Sequence, residues 1–151
     1  MVKFNSIDDI LDFAINAEQE AVDFYNSLAD NSKTEDMKHV FYSFAQEEME
    51  HKSKLSKIKL EGTYQMEPTQ IIDLKISDYT VNVKPTPGMS YQEALVLAMN
   101  KEKAAFKLYL ELSKRASSEE MKEVFLVLAQ EESKHKLRFE IEYDEYVLRE
   151  N

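Results

Sequence analysis

The eight residues AQEEMEHK, at positions 45 to 52, return almost letter for letter as AQEESKHK at positions 129 to 136. Shifting the chain by 84 residues aligns the two phrases without a gap, and residues 33 to 52 then match residues 117 to 136 at 11 of 20 positions. The match includes Met37 with Met121, Phe41 with Phe125, Glu48 with Glu132 and His51 with His135. The same shift pairs Ser6 with Ser90, Ala14 with Ala98, Glu18 with Glu102, Tyr25 with Tyr109 and Leu28 with Leu112. A repeat of this length is a duplicated supersecondary unit, here two helices long.

The sequence predicts four long helices, at about 6–31, 33–61, 90–115 and 118–148. Outside residues 62–89 the chain is rich in Ala, Leu, Glu, Lys and Met, which favour helix. Ser6 with Asp9, Ser32 with Glu35, Ser90 with Glu93 and Ser117 with Glu120 have the spacing of N-terminal capping pairs. The segment 62–89 holds Pro68, Pro85, Pro87 and both glycines, so it cannot be helical throughout. Within it, IIDLKI and YTVNV alternate weakly and read as short strands. The expected fold is all-α, a four-helix bundle of two repeated hairpins (about 6–61 and 90–148) joined by a long crossover, forming one domain over residues 1–151. A homodimer is expected, and so long a crossover permits helix exchange between its subunits.

Helical periodicity separates the adjacent glutamates. On the second helix, alternate steps of four and three give Met37, Phe41, Phe44, Glu48, His51, Leu55 and Ile58. Apolar neighbours on that seam turn inward, so Glu48 and His51 turn inward with them. Glu47 shares a row with Ser43, Glu50 and Lys54 and is assigned to the solvated face. On the fourth helix the seam is Met121, Phe125, Leu128, Glu132, His135 and Phe139, which selects Glu132 over Glu131. The first and third helices each add one acid by the same rule, Glu18 and Glu102, while Glu20 and His39 are read as surface residues. Tyr25 and Tyr109 lie two turns beyond those acids on the same seams. They are either plain core side chains or hydrogen-bond donors to metal ligands.

Four buried carboxylates without cations would each lose solvation or take up a proton. Two divalent ions balance four such charges, and a Glu and a His three residues apart can reach one ion together. Four glutamates with two ExxH pairs match the ligand set of ferritin-like dinuclear carboxylate proteins. Glu18, Glu48, His51, Glu102, Glu132 and His135 are therefore the predicted ligands. Oxygen-rich sites with one imidazole per ion suit iron or manganese better than zinc.

Composition removes other function classes. With 29 acidic and 19 basic residues the net charge is −10, which repels nucleic acid and anionic membrane surfaces. The N-terminal residues show neither a signal-peptide pattern nor a membrane span, so a cytoplasmic protein is expected. With no cysteine there are no disulfides, thiolate sites or iron–sulfur clusters.

AEQEAVDFY at 17–25 with EEMEH at 47–51, and KEKAAFKLY at 101–109 with EESKH at 131–135, resemble the rubrerythrin-like branch of the ferritin-like superfamily. The resemblance implies a di-iron centre, two iron ions on the six residues named above, that reacts with hydrogen peroxide or dioxygen in defence against oxidative stress. Rubrerythrins proper add a cysteine-ligated rubredoxin domain, so here the electrons would come from an external donor such as a separate rubredoxin. They also carry an extra glutamate one turn after the third-helix ligand, where this chain has Ala105, which puts full rubrerythrin-style peroxidase activity in question. Two other readings stand beside peroxide or oxygen reduction: oxidation and handling of ferrous iron, and a non-catalytic module in which the metal is a structural staple.

Overall fold

A computed structural model describes residues 3–150. It contains α1 (Ile7–Asp30), α2 (Glu35–Glu61), α3 (Pro68–Asp73), α4 (Tyr91–Arg115) and α5 (Glu119–Glu150), with a 3₁₀ turn at Ile76–Tyr79 between α3 and α4. No strand occurs among the described residues. The four long helices form the ferritin-like bundle expected from the repeat, α1 packing along α2 and α4 along α5. None of the described helices is long and apolar enough to cross a membrane.

Two caps differ from the sequence reading. Thr34 rather than Ser32 caps α2, its hydroxyl accepting from the Met37 N–H at 3.1 Å. Ser32 instead donates to the Ala29 carbonyl at the end of α1. Ser118 rather than Ser117 caps α5, accepting from the Met121 N–H at 3.1 Å, while the Ser117 N–H donates to the Gln65 carbonyl of the crossover. Ser90 and Glu93 form the reciprocal capping box expected of them. Gly62 ends α2 at φ 65°, a left-handed conformation in which its N–H reaches the Ile58 carbonyl.

The predicted strands of the crossover are also corrected. Pro68 starts the short α3, its missing N–H costing nothing at the first helical position, and Ile76–Tyr79 winds into a turn. The crossover is anchored by Tyr64, whose hydroxyl donates to the Leu112 carbonyl at 2.8 Å, and by buried Met66, Leu74 and Tyr79.

The interior divides into two apolar cores. One gathers Leu11, Ile58, Leu112 and Phe125, and the other Leu28, Phe41, Leu95 and Phe139. Glu18, Glu48, His51, Glu102, Glu132 and His135 lie between them, at the middle of the bundle.

Candidate metal centre

All six predicted ligands are buried. Glu18, Glu48, Glu102, Glu132, His51 and His135 are each at most 3% exposed. Each long helix supplies its part because the polar residue occupies a step of the same seam that buries Leu11, Phe41, Leu95 and Phe125.

Their ligand atoms form two overlapping groups. Glu18, Glu48, His51 and Glu132 bring one atom each within 4.8 Å of one another, and so do Glu48, Glu102, Glu132 and His135. Glu48 and Glu132 belong to both. His51 Nδ1 lies 2.9 Å from Glu132, 3.3 Å from Glu48 and 3.6 Å from Glu18. His135 Nδ1 lies 3.4 Å from Glu48 and 3.6 Å from Glu102.

Proximity here does not amount to hydrogen bonding. Glu18 Oε2, Glu48 Oε1, His51 Nδ1, Glu102 Oε2, Glu132 Oε1 and His135 Nδ1 are all buried without a hydrogen-bond partner. Each of the six thus contributes one unpartnered polar atom to a shared space. Buried polar atoms are almost always satisfied in folded proteins, so six orphans converging on one place fit a pair of cations.

Without metal, the charges are accommodated by protons. Burial, and after it the Glu48 carboxylate, pushes Glu18 up to about 8. Burial and the same neighbour raise Glu102, and burial with Glu102, Glu48 and Glu18 raises Glu132 well above the carboxylate range. Burial would also raise Glu48, but contact with the His135 and His51 imidazoles outweighs it and holds that carboxyl low. Burial opposes charge on the imidazoles too, yet Glu18 and Glu48 push His51 up to about 11, and Glu102 and Glu48 push His135 up to about 10. In the metal-free protein the surrounding carboxylates thus favour the charged form of both imidazoles.

Glu47 and Glu131 correct the sequence reading, which placed both on the solvated face. Glu131 Oε2 meets His51 Nε2 at 2.5 Å, and Glu47 Oε2 meets His135 Nε2 at 3.0 Å. Each pair joins α2 to α5, and both carboxylates are only partly exposed. With Nε2 engaged by a carboxylate, Nδ1 is the nitrogen presented to the cluster.

Of the two readings of the tyrosines, the hydrogen-bonding one holds. Tyr109 donates to Glu18 Oε1 at 2.5 Å and Tyr25 donates to Glu102 Oε1, so each half of the repeat braces a carboxylate of the other. Burial first, then the adjoining carboxylates, raises both phenols well above their usual value and keeps them protonated donors. Glu20 and His39 are exposed, as expected. A fifth buried acid, Glu142, was not anticipated. It accepts from Tyr91 at 2.8 Å and pairs with Arg149 at 3.3 Å. Its place three residues beyond Phe139 on the α5 seam was the available signal.

A helical bundle with a carboxylate–histidine cluster at mid-height defines a ferritin-like protein with a site compatible with metal binding. The rubrerythrin family model matches residues 9–85 and 93–151, and the chain belongs to that family, whose members are di-iron carboxylate proteins. A solved structure of a hypothetical protein from Pyrococcus furiosus is similar, with 27% identity, a TM-score of 0.71 and 95% of each chain covered. No curated protein matches the chain.

Proposed function

We propose that the chain is a non-haem di-iron oxidoreductase that reduces hydrogen peroxide or dioxygen with electrons from an external donor such as a separate rubredoxin. The observation that supports it best is the set of six orphaned ligand atoms, one from each of Glu18, Glu48, His51, Glu102, Glu132 and His135. In this reading Glu18, Glu48, His51 and Glu132 would hold one ion and Glu48, Glu102, Glu132 and His135 a second, with Glu48 and Glu132 common to both groups. When bound, a pair of ferrous ions supplies two electrons and a Lewis-acid site for an O–O bond.

The chain's own residues do the rest. Glu47 and Glu131 hold the imidazoles through Nε2 and leave Nδ1 facing the carboxylate cluster. Tyr25 and Tyr109 fix Glu102 and Glu18 through hydroxyl protons that burial keeps in place. The two apolar cores close the site at both ends along the bundle axis and so strengthen these contacts. A cytoplasmic homodimer is part of the same proposal.

Anaerobic, ferrous-loaded protein mixed with stoichiometric peroxide should oxidise within seconds, and should turn over when a reductant is added. Protein that stays ferrous overturns the reading. A particle of many subunits that accumulates iron would instead favour ferrous-iron handling.

A further inference from the structure

The four long helices are not equally close. Where α1 faces α4, the facing side chains include Ala17, Ala21, Ala104 and Ala105, and a cleft of about 290 Å³ opens between them. Glu18, Glu48 and Glu102 reach its floor, and Tyr79, Thr80 and Val81 of the crossover line it from the other side. A second space of about 390 Å³ shares Glu20, Val81, Lys84 and Lys101 with the first and continues past Phe24, Val83 and Pro85. A water molecule takes up roughly 30 Å³, so the inner space alone has room for a ligand several times the size of peroxide or dioxygen.

The junction of the two spaces is cationic at its centre. The Lys101 side chain is 15% exposed, and its ion pair among the described residues is a 3.9 Å approach to Glu20, whose own side chain is 63% exposed. That distance is too long for a hydrogen bond. Beneath the ammonium lies the Phe24 ring, 5.7 Å from Nζ to centroid. Glu20 and Asp23 are the acids on the rim. A largely buried ammonium with one long, solvent-exposed counter-ion is under-compensated, and a second ammonium beside it makes an anion the fitting occupant.

We propose that this cleft is the substrate channel of the centre and that it selects a hydroperoxide of a short organic acid, with the carboxylate held by Lys101 and Lys84. This rests on the reading of the cluster as a reactive di-iron site. The hydrocarbon body lies along the alanines and the hydroperoxide end points to Glu18 and Glu102. In the reaction the O–O bond breaks, two electrons come from the external donor and two protons are taken up, giving the alcohol acid and water. A neutral peroxide gains little from the lysines, whereas a carboxylate gains charge-assisted hydrogen bonds.

Hexanoate, which carries the carboxylate without the peroxide, is the binding probe. It is titrated into zinc-loaded, isotope-labelled full chain and followed by NMR, the zinc neutralising the carboxylate floor without redox chemistry. Shifts are expected at the amides of residues 17–21 and 101–105. Lys101→Met should weaken binding about tenfold and Lys84→Met severalfold, Lys101→Arg should restore it, and Glu20→Gln should tighten it. Hexanoate binding that ignores both lysines, as it would if zinc alone took the carboxylate, overturns the proposal. So does hexanol binding as tightly as hexanoate. If iron-loaded protein fails to reduce peroxide while hexanoate binding depends on the lysines, the function proposed above fails and the anion site stands. If peroxide is reduced but hexanoate ignores the lysines, the channel assignment fails alone.

Discussion

Removing the Glu131 carboxylate should loosen a metal that this residue never touches. Glu131 Oε2 lies 2.5 Å from His51 Nε2 and on the far side of the ring from the cluster. A hydrogen bond to a charged group contributes about 1.5–3 kcal/mol, and a partner that orients a metal-binding histidine is typically worth about 10–100-fold in affinity. The Glu131 side chain is 36% exposed, which moves the expectation to the lower end. Glu131→Ala should therefore weaken zinc binding about tenfold, equivalent to about 1.4 kcal/mol. Glu131→Gln keeps an acceptor opposite Nε2–H and should lose less, about two- to fourfold. Glu47→Ala, across the longer 3.0 Å contact to His135, should fall between the two. The assay is competition for zinc against a chromophoric chelator at pH 7, with exposed Glu50→Ala as the control. Affinity of Glu131→Ala within twofold of wild type would refute the assignment of these carboxylates as imidazole supports.

Further outcomes follow from the same geometry. Glu132→Leu should abolish metal binding yet raise the stability of the metal-free protein by about 1–3 kcal/mol in denaturant unfolding, since it removes a buried acid from among three others; a metal-free protein made less stable by the change would contradict it. Tyr25→Phe leaves Glu102 without its donor and should weaken metal binding severalfold at about 1 kcal/mol of stability, whereas unchanged binding would make the tyrosine a packing residue only. Metal-free protein should lose stability from pH 6.5 to 8. Across that window folded Glu18, at about 8, and folded His51, at about 11, hold protons that the unfolded chain, with ordinary values of 4.5 and 6.5, has released. Glu48, held low, acts at the other end, its contribution present above about 4.5 and lost as the pH falls. A melting temperature that rises between pH 6.5 and 8 would show the protons to be placed wrongly.

The duplicated phrase and a strict helical seam were enough to find the bundle and all six clustered residues, because each acid or histidine replaces one step in a run of core side chains. The seam sorts residues only into inward and outward, however. Glu47 and Glu131 sit immediately beside it, on the flank where α2 and α5 face each other, and a flank position can reach a neighbour's ring while part of it stays in water. Tyr25 and Tyr109 were ambiguous for a related reason. Periodicity places the ring in the core but not the hydroxyl, whose partner lies on the other hairpin. The caps at Thr34 and Ser118 were hidden by nearby serines with better spacing to a glutamate. Ser32 and Ser117 are held instead by the end of α1 and by the crossover. In the crossover, weak alternation suggested strands. No partner strand exists among the described residues, and Pro68 favours a helical turn.

The most direct test of the central claim is metal stoichiometry. Anaerobic equilibrium dialysis of the full chain against ferrous iron, followed by elemental analysis, should give two ions per chain for wild type and neither ion for Glu132→Leu, because Glu132 belongs to both ligand groups. One ion per chain, or two that survive the loss of Glu132, would contradict a metal pair held between Glu48 and Glu132.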